Sequence, residues 1–409
     1  MNGLETKIHR IKSTNWIFWL PLVLCMLYQS YRYPLQINSS LTSPTYSDTP
    51  LVFQMGKFIM VLPFLVLAAS YCLRKKLELK QWIVVLAVQF LFIFALFKTV
   101  TTGSSGYLEV SFWMQFSLIL AWATETISLK AIDRFFECLL FYALCTNLIE
   151  ILLFVFFRRL PALAYENSLS VRFGGFLDDP NGFAALLFLL MGWSYGRFKG
   201  KTRKLVLTSL VLCLAITQSW TAIIFSALVL IFWAFMSFSK RPIRMGIITL
   251  VCIGFTVYLI RNIPDSAITV MQTMLASKQG SVEGHMFPWT ELAPKWTEWI
   301  FSGSSEYNPY EFWWGSALVN FGAPWFFVDF ALIATAVISL KSAFAKGSAE
   351  AKPTYLGLLL FGSYFLIGSF GLPFSQVFPI NVFFFVFSFL VIFGKIQPEN
   401  LSGTQELTA

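Results

Sequence analysis

The feature that most constrains this chain is the recurrence, over nearly its whole length, of apolar runs about the length of a membrane-crossing helix. A hydrocarbon layer about 30 Å thick is crossed by roughly 20 helical residues, each rising about 1.5 Å. Runs of this kind lie near 16–33, 51–73, 81–98, 108–126, 135–157 and 180–197. The second half adds 205–218, 220–238, 245–261, 311–340, 354–372 and 374–393. The expectation is an all-α polytopic integral membrane protein with about twelve transmembrane helices.

The stretch 205–238 needs separate treatment, because as one helix it would be about 50 Å long and overshoot the hydrocarbon core. Thr217-Gln218-Ser219 interrupts it near the middle, Arg203 and Lys204 precede it, and Lys240, Arg241 and Arg244 follow it. Two basic flanks on one side of a membrane require an even number of crossings, so the stretch reads as a tight hairpin. With the N-terminus inside, 21 of the 30 Lys and Arg fall in inner segments and eight in outer ones, leaving Lys57 within a span. The positive-inside rule then puts both termini in the cytoplasm.

Composition narrows the function classes. Hydrophobic residues make up 57% and charged residues 12% of the 409 positions, against about a quarter charged in a soluble domain. The net charge of +9 is dispersed in short clusters between apolar runs, so no continuous basic face exists for nucleic acid. Cys25, Cys72, Cys138, Cys145, Cys213 and Cys252 all lie in or at the ends of apolar runs, which argues against disulfides and a metal cluster. The basic N-terminus leads into an apolar stretch with no obvious small-residue cleavage site and reads as a retained first span. No internal repeat of the transporter kind is seen, and 394–409 reads as a polar cytoplasmic tail.

Two outer segments carry too many functional groups to be simple connectors. The first, from Arg158 to Asn181, contains Arg159, Tyr165, Glu166, Arg172, the pair Gly174-Gly175 and Asp179-Pro180-Asn181. Asp is a good N-cap and Pro suits the first helical position, so the sixth span starts here with its free N–H groups facing outward. Such a terminus favours anions, and with Arg172 nearby it suits a phosphate or pyrophosphate. The plainer alternative is a capped helix whose Arg172 meets lipid headgroups.

The second segment is the large outer loop 262–310, with His285, Glu283, Glu291, Glu298, Glu306 and Lys295. Trp289, Trp296 and Trp299 with Leu292 fall on one helical face, interrupted by Pro294. Either this is an interfacial helix in the aromatic belt, or a lid whose flat rings pack against sugars. Glu311 follows at the outer mouth of the tenth span, where a half-dry carboxylate suits a general base, or is simply a solvated flank. Three further charges lie within spans: Lys57, Glu150 and Asp329. Lys57 and Glu150 read either as an internal pair or, for Lys57, as a cation facing an outward cavity.

Three elements resemble the O-antigen polymerase and O-antigen ligase superfamily of bacterial inner-membrane glycosyltransferases. Arg172-Phe-Gly-Gly-Phe-Leu-Asp-Asp-Pro-Asn-Gly-Phe-Ala184 is similar to that family's Arg-x-x-Gly…(Asn/Asp)-Pro-Asn start of a span. Thr217-Gln-Ser-Trp-Thr221 sits where the family often has Thr-x-Ser-Arg at a helical hairpin. Glu311 and Gly322, with ten residues between them, resemble the ligases' His-x10-Gly element with Glu in place of His, as in many polymerases. Trp220 replaces the hairpin Arg, and His285 stands where many relatives have an Arg in the large loop.

The resemblance implies a GT-C-like glycosyltransferase architecture in the bacterial cytoplasmic (inner) membrane. It also implies a repeat-unit polymerase acting on undecaprenyl-pyrophosphate-linked oligosaccharide, for O-antigen, capsule or exopolysaccharide. Glu311, Arg172 and His285 would be catalytic, with Glu311 as general base and Arg172 stabilising the leaving pyrophosphate. Arg158, Arg159, Lys57, Asn181, Trp289 and Trp296 would bind pyrophosphate or sugar. No metal or other cofactor is implied, and the working partners would be the lipid bilayer, a chain-length regulator and a flippase. The alternatives are an O-antigen ligase, which moves a finished chain onto lipid A core, and a lipid-linked oligosaccharide flippase.

Overall fold

The computed structural model describes residues 18–28, 37–38, 51–72, 76–157, 160–161, 166–167, 170–171, 173–177, 180–219, 221–230, 293–307, 313–369 and 378–397. Its first eight helices are α1 (Phe18–Tyr28), α2 (Leu51–Cys72), α3 (Leu79–Thr102), α4 (Gly106–Ala123), α5 (Leu129–Phe157), α6 (Pro180–Arg197), α7 (Gly200–Thr217) and α8 (Thr221–Leu230). The short α9 (Trp296–Trp299) follows a 3-10 turn at Ala293–Lys295. Next come α10 (Trp313–Phe321), α11 (Ala323–Lys346), α12 (Lys352–Gly368) and α13 (Ile380–Ile392). The strands are two-residue bridges, pairing Ile37–Asn38 with Leu160–Pro161, Ile127–Ser128 with Ile396–Gln397, and Glu166–Asn167 with Ser170–Val171.

Met55–Cys72 of α2, α3, Leu129–Phe156 of α5 and α11 are each long and apolar enough to cross a membrane. With its helical content, the chain agrees with an all-α membrane protein. Ile59, Leu62 and Val66 on α2, and Ile83, Leu86, Ile93 and Phe97 on α3, are exposed large apolar side chains. A belt of that size is stable in lipid and prone to aggregate in water.

Helix boundaries follow local chemistry. Pro180 opens α6, where its missing N–H costs nothing, and the helix ends at Arg197, as expected from the sequence. The break at Thr217-Gln218-Ser219 falls between α7 and α8, with Gln218 in the left-handed region at φ 49°. Glu78 starts α3 by donating its backbone N–H to Gln81 Oε1 over 3.0 Å.

One expected span is divided. The run 311–340, read above as a single helix, contains α10 and α11 joined at Gly322, whose φ is 85°. Pro324 has no N–H to offer the Asn320 carbonyl, which together with the positive φ of Gly322 favours a break at this point. A side chain on Gly322 would also come within 2.8 Å of the Phe301 backbone carbonyl. The Trp313 indole donates to Asp329 Oδ2 over 3.0 Å, whereas a continuous helix would hold these residues about 24 Å apart along its axis. Helix α10 therefore folds back along α11, and its nine residues extend only about 13 Å.

Packing is tightest where backbones meet. A Cβ on Gly192 of α6 would lie 2.8 Å from the Gly357 Cα of α12, and one on Gly357 would lie 2.6 Å from the Leu189 carbonyl oxygen. One turn further along α6, Gly196 faces Pro353. Small residues four apart allow this approach, which gains dispersion contact where lipid supplies little hydrophobic drive between helices. Aromatic rings fill the remaining space. Phe188, Phe225 and Tyr364 tie α6, α8 and α12 together, and Phe365 stacks on Phe384 at 4.0 Å.

Contacts at the helix ends join residues that the charge pattern places on one side. At one end Ile127 donates its N–H to the Lys395 carbonyl, and Gln81 Nε2 donates to the Phe393 carbonyl. There, too, Asp133 Oδ1 accepts from Trp193 Nε1 at 2.9 Å and from Thr354 Oγ1 at 2.8 Å, with Arg197 beside Asp133 and Glu137. At the other end Lys57 meets Glu109, Lys98 meets the Ser304 carbonyl, and Glu150 meets Gly175.

Candidate functional site

One group of polar contacts at this second end gathers around the ends of α5, α6, α7 and α8. Glu150 lies about two turns from the end of α5 and is only 1% exposed. Its Oε2 accepts the Gly175 N–H at 2.7 Å. A carboxylate buried in apolar surroundings must be hydrogen-bonded, and this bond fixes the turn 173–177 against α5. The turn itself requires glycine: Gly175 has φ 60°, and a Cβ there would lie 2.4 Å from the Phe183 ring. Below it, Phe176 is buried against Tyr142 at 4.6 Å and Phe183 at 6.2 Å.

The same turn is fastened to the α7–α8 hairpin. Phe173 donates its N–H to the Ile216 carbonyl over 3.3 Å. Ser219 donates its hydroxyl to Asn181 Oδ1 over 2.6 Å, while its Oγ accepts the Ala222 N–H and its N–H donates to Thr217 Oγ1. Ser219 thus caps α8 and bonds the first turn of α6 at once. The segment 173–181 and the hairpin break 217–219 carry two of the three resemblance elements, and they meet here. On α5, Asn147 lies one turn from Glu150. Its buried Nδ2, like the buried Tyr142 hydroxyl, has no hydrogen-bond partner among the described residues. Buried polar atoms of this kind call for a water or a ligand group.

Lys57 is an ion-pair partner of Glu109 and lies over the Phe58 ring at 5.3 Å. The pairing with Glu150 considered from the sequence gives way to this arrangement. Glu150 is engaged with Gly175, and the Lys57 charge is balanced by an acid at the start of α4.

The end of the large loop docks nearby. The Ser304 carbonyl accepts from Lys98 Nζ at 2.6 Å and from the Tyr107 hydroxyl at 3.0 Å. Ser304 N–H donates to the Val319 carbonyl, and Ala323 N–H donates to the Ile300 carbonyl. The expected common face of tryptophans is split: Trp299 is 6% exposed and Trp296 is 54% exposed. Trp296 is thus the one of these two whose ring is open to a sugar or to the lipid interface.

Of the residues singled out from the sequence, Lys57, Asn181 and Trp296 are placed as above. Arg158, Arg159, Arg172, His285, Trp289 and Glu311 lie outside the described residues. Sequence reasoning missed Glu109 as the Lys57 partner, Ser219 as a link to α6, and the glycines of the α6–α12 contact. Glu109 had a signal, an acid at the mouth of a span on the side to which Lys57 lies closer. No family model matches the chain, and no curated protein matches it significantly.

Proposed function

We propose that the chain is a metal-independent, inverting glycosyltransferase that polymerises undecaprenyl-pyrophosphate-linked oligosaccharide repeats at the outer face of the bacterial cytoplasmic membrane. In this reading about twelve helices of GT-C-like arrangement span the bilayer, and both termini are cytoplasmic. The observation that carries it is the Ser219–Asn181 hydrogen bond at 2.6 Å. It joins the span start that follows Arg172 to the hairpin break, two segments far apart in sequence that the resemblance assigns to one site.

The chemistry follows from the leaving group. A hydroxyl of one lipid-linked repeat attacks C1 of the donor sugar. The new C1–O bond forms as the C1–O bond to pyrophosphate breaks, and the electron pair leaves with the polyprenyl pyrophosphate. Glu311 takes the hydroxyl proton, with His285 as the second candidate for that role. Arg172, helped by Arg158, Arg159 and the N-terminus of α6, stabilises the charge that develops on the pyrophosphate. Lys57 contributes only where a ligand displaces Glu109. Asn181 orders the first turn of α6, while Trp289 and Trp296 offer rings to the sugars.

The test is a surface-glycan profile of a deletion strain complemented with wild type, Arg172→Ala or Glu311→Ala. A ladder restored only by wild type, with single repeats in both variants, is the expected result. Normal polymer length in either variant removes that residue from the mechanism. Long lipid-linked polymer with no surface-attached sugar in the deletion strain would identify a ligase instead. Translocation of lipid-linked sugar by the purified protein, with no new glycosidic bond, would identify a flippase.

A further inference from the structure

We propose that Asp329 is a positioning residue that holds Trp313 and so fixes the start of α10 within the membrane. The proposal rests on the polymerase reading, in which Glu311, two residues before Trp313 in the sequence, is the general base.

The geometry singles out this pair. Asp329 is 0% exposed on α11, seven residues into a helix long and apolar enough to span a membrane. A carboxyl at such a place is expensive to keep and calls for a reason. Its Oδ2 accepts the Trp313 indole N–H at 3.0 Å, while Oδ1 has no partner among the described residues. Trp313 is itself fully buried, with its ring 5.9 Å from Trp325. An indole N–H in such surroundings must find an acceptor, so the bond fixes where this ring can sit.

Helix α10 needs an anchor of this kind. A helix of nine residues is held in place mainly by its tertiary contacts. The far end of α10 is well held. Ser304 donates to Val319, Ala323 donates to Ile300, and Gly303 packs against Asn320 with no room for a Cβ. At its start a polar hold is the Trp313–Asp329 bond, backed by Trp314 against Phe326 and Phe330. Ser316 and Asn320, joined at 3.1 Å, extend the buried polar stripe from Trp313 toward Gly322. The arrangement is a short helix pinned at both ends, with the inner pin supplied by Asp329.

The experiment uses the purified full-length chain in liposomes, with lipid-linked repeats extracted from the deletion strain as substrate. Asp329→Ala and Trp313→Phe should each lower kcat on the order of a hundredfold, the scale of a displacement of about 1 Å, and leave KM unchanged. Asp329→Asn keeps an acceptor for the indole and should recover most of the lost rate. Hydrogen exchange read by mass spectrometry supplies a measure that does not depend on turnover. Amides at the start of α10 should exchange about tenfold faster in Asp329→Ala and Trp313→Phe, while those of α12 stay as in wild type. Unchanged exchange in both variants, or a raised KM with intact kcat, overturns the positioning role. Equal loss in Asp329→Asn and Asp329→Ala overturns it too, because the charge and not the bond would then matter. A wild type that makes no polymer, with the variants still showing the expected faster exchange, retires the polymerase reading and leaves Asp329 an anchor of α10 alone.

Discussion

The hydroxyl of Ser219 donates to Asn181 Oδ1 across 2.6 Å, tying the turn between α7 and α8 to the first turn of α6. Because the same Oγ accepts the Ala222 N–H, Ser219→Ala removes a helix cap and an inter-helix bond together. The expected cost is about 1–2 kcal/mol. It should be visible as a lower thermal midpoint of the detergent-solubilised protein, with Ser219→Thr close to wild type. Equal midpoints for wild type and Ser219→Ala would mean the bond contributes nothing to the junction.

Glu150 gives a second, separable expectation. Glu150→Gln retains an acceptor for the Gly175 N–H, whereas Glu150→Ala leaves that buried donor unpaired, at a cost of about 1–3 kcal/mol. If the role of Glu150 is to hold the 173–177 turn, then on the polymerase reading proposed above Gln should support chain growth and Ala should not. Glycan ladders from the two complemented strains decide this, and a Gln variant as defective as Ala would show that the negative charge itself is required.

The helices were legible because hydrophobic length is a one-dimensional property. Residues 180–197 could be bounded from Pro180 and Arg197 alone. The fold-back at Gly322 was less legible. Its signals, Gly322 and Pro324, sit inside a run so apolar that its length suggested one long crossing. The partner of Lys57 was harder still, since Glu109 and Glu150 both lie toward the same face. Only the lateral order of helices brings α4, not α5, beside α2. Likewise, the helical spacing of Trp296 and Trp299 suggested a shared face. Their exposures nevertheless differ, 54% for Trp296 against 6% for Trp299, a tertiary outcome that no local pattern encodes.

The Lys57–Glu109 pair lends itself to a charge swap. Lys57 is the more buried partner, with 15% of its side chain exposed against 34% for Glu109. Removing Glu109 therefore strands a cation at the membrane edge, and Glu109→Ala should lower the yield of folded protein more than Lys57→Ala does. The exchanged protein, Lys57→Glu with Glu109→Lys, should recover most of the loss. Yield after detergent extraction and size-exclusion chromatography measures both effects. No recovery in the exchanged protein would mean that each residue acts through some other partner.

The α6–α12 contact brings two helix backbones so close that Gly192 and Gly357 leave no room for a side chain. A methyl group at Gly192 would sit 2.8 Å from the Gly357 Cα and 2.9 Å from the Leu356 carbonyl, both backbone atoms that cannot swing aside. The helices must then separate, and Gly192→Ala should cost about 1–3 kcal/mol from overpacking. A leucine at Gly192 should prevent assembly of this part of the fold. Separation would also move Thr354 away from Asp133 and loosen the Trp193–Asp133 bond at the same end of the bundle. The effect should therefore not be additive with Asp133→Asn, because both substitutions relax one junction. A double-mutant cycle on thermal midpoints tests this. Full additivity would show that the glycine contact and the Asp133 cluster are independent, and the defect in Gly192→Ala would then be local to the helix crossing.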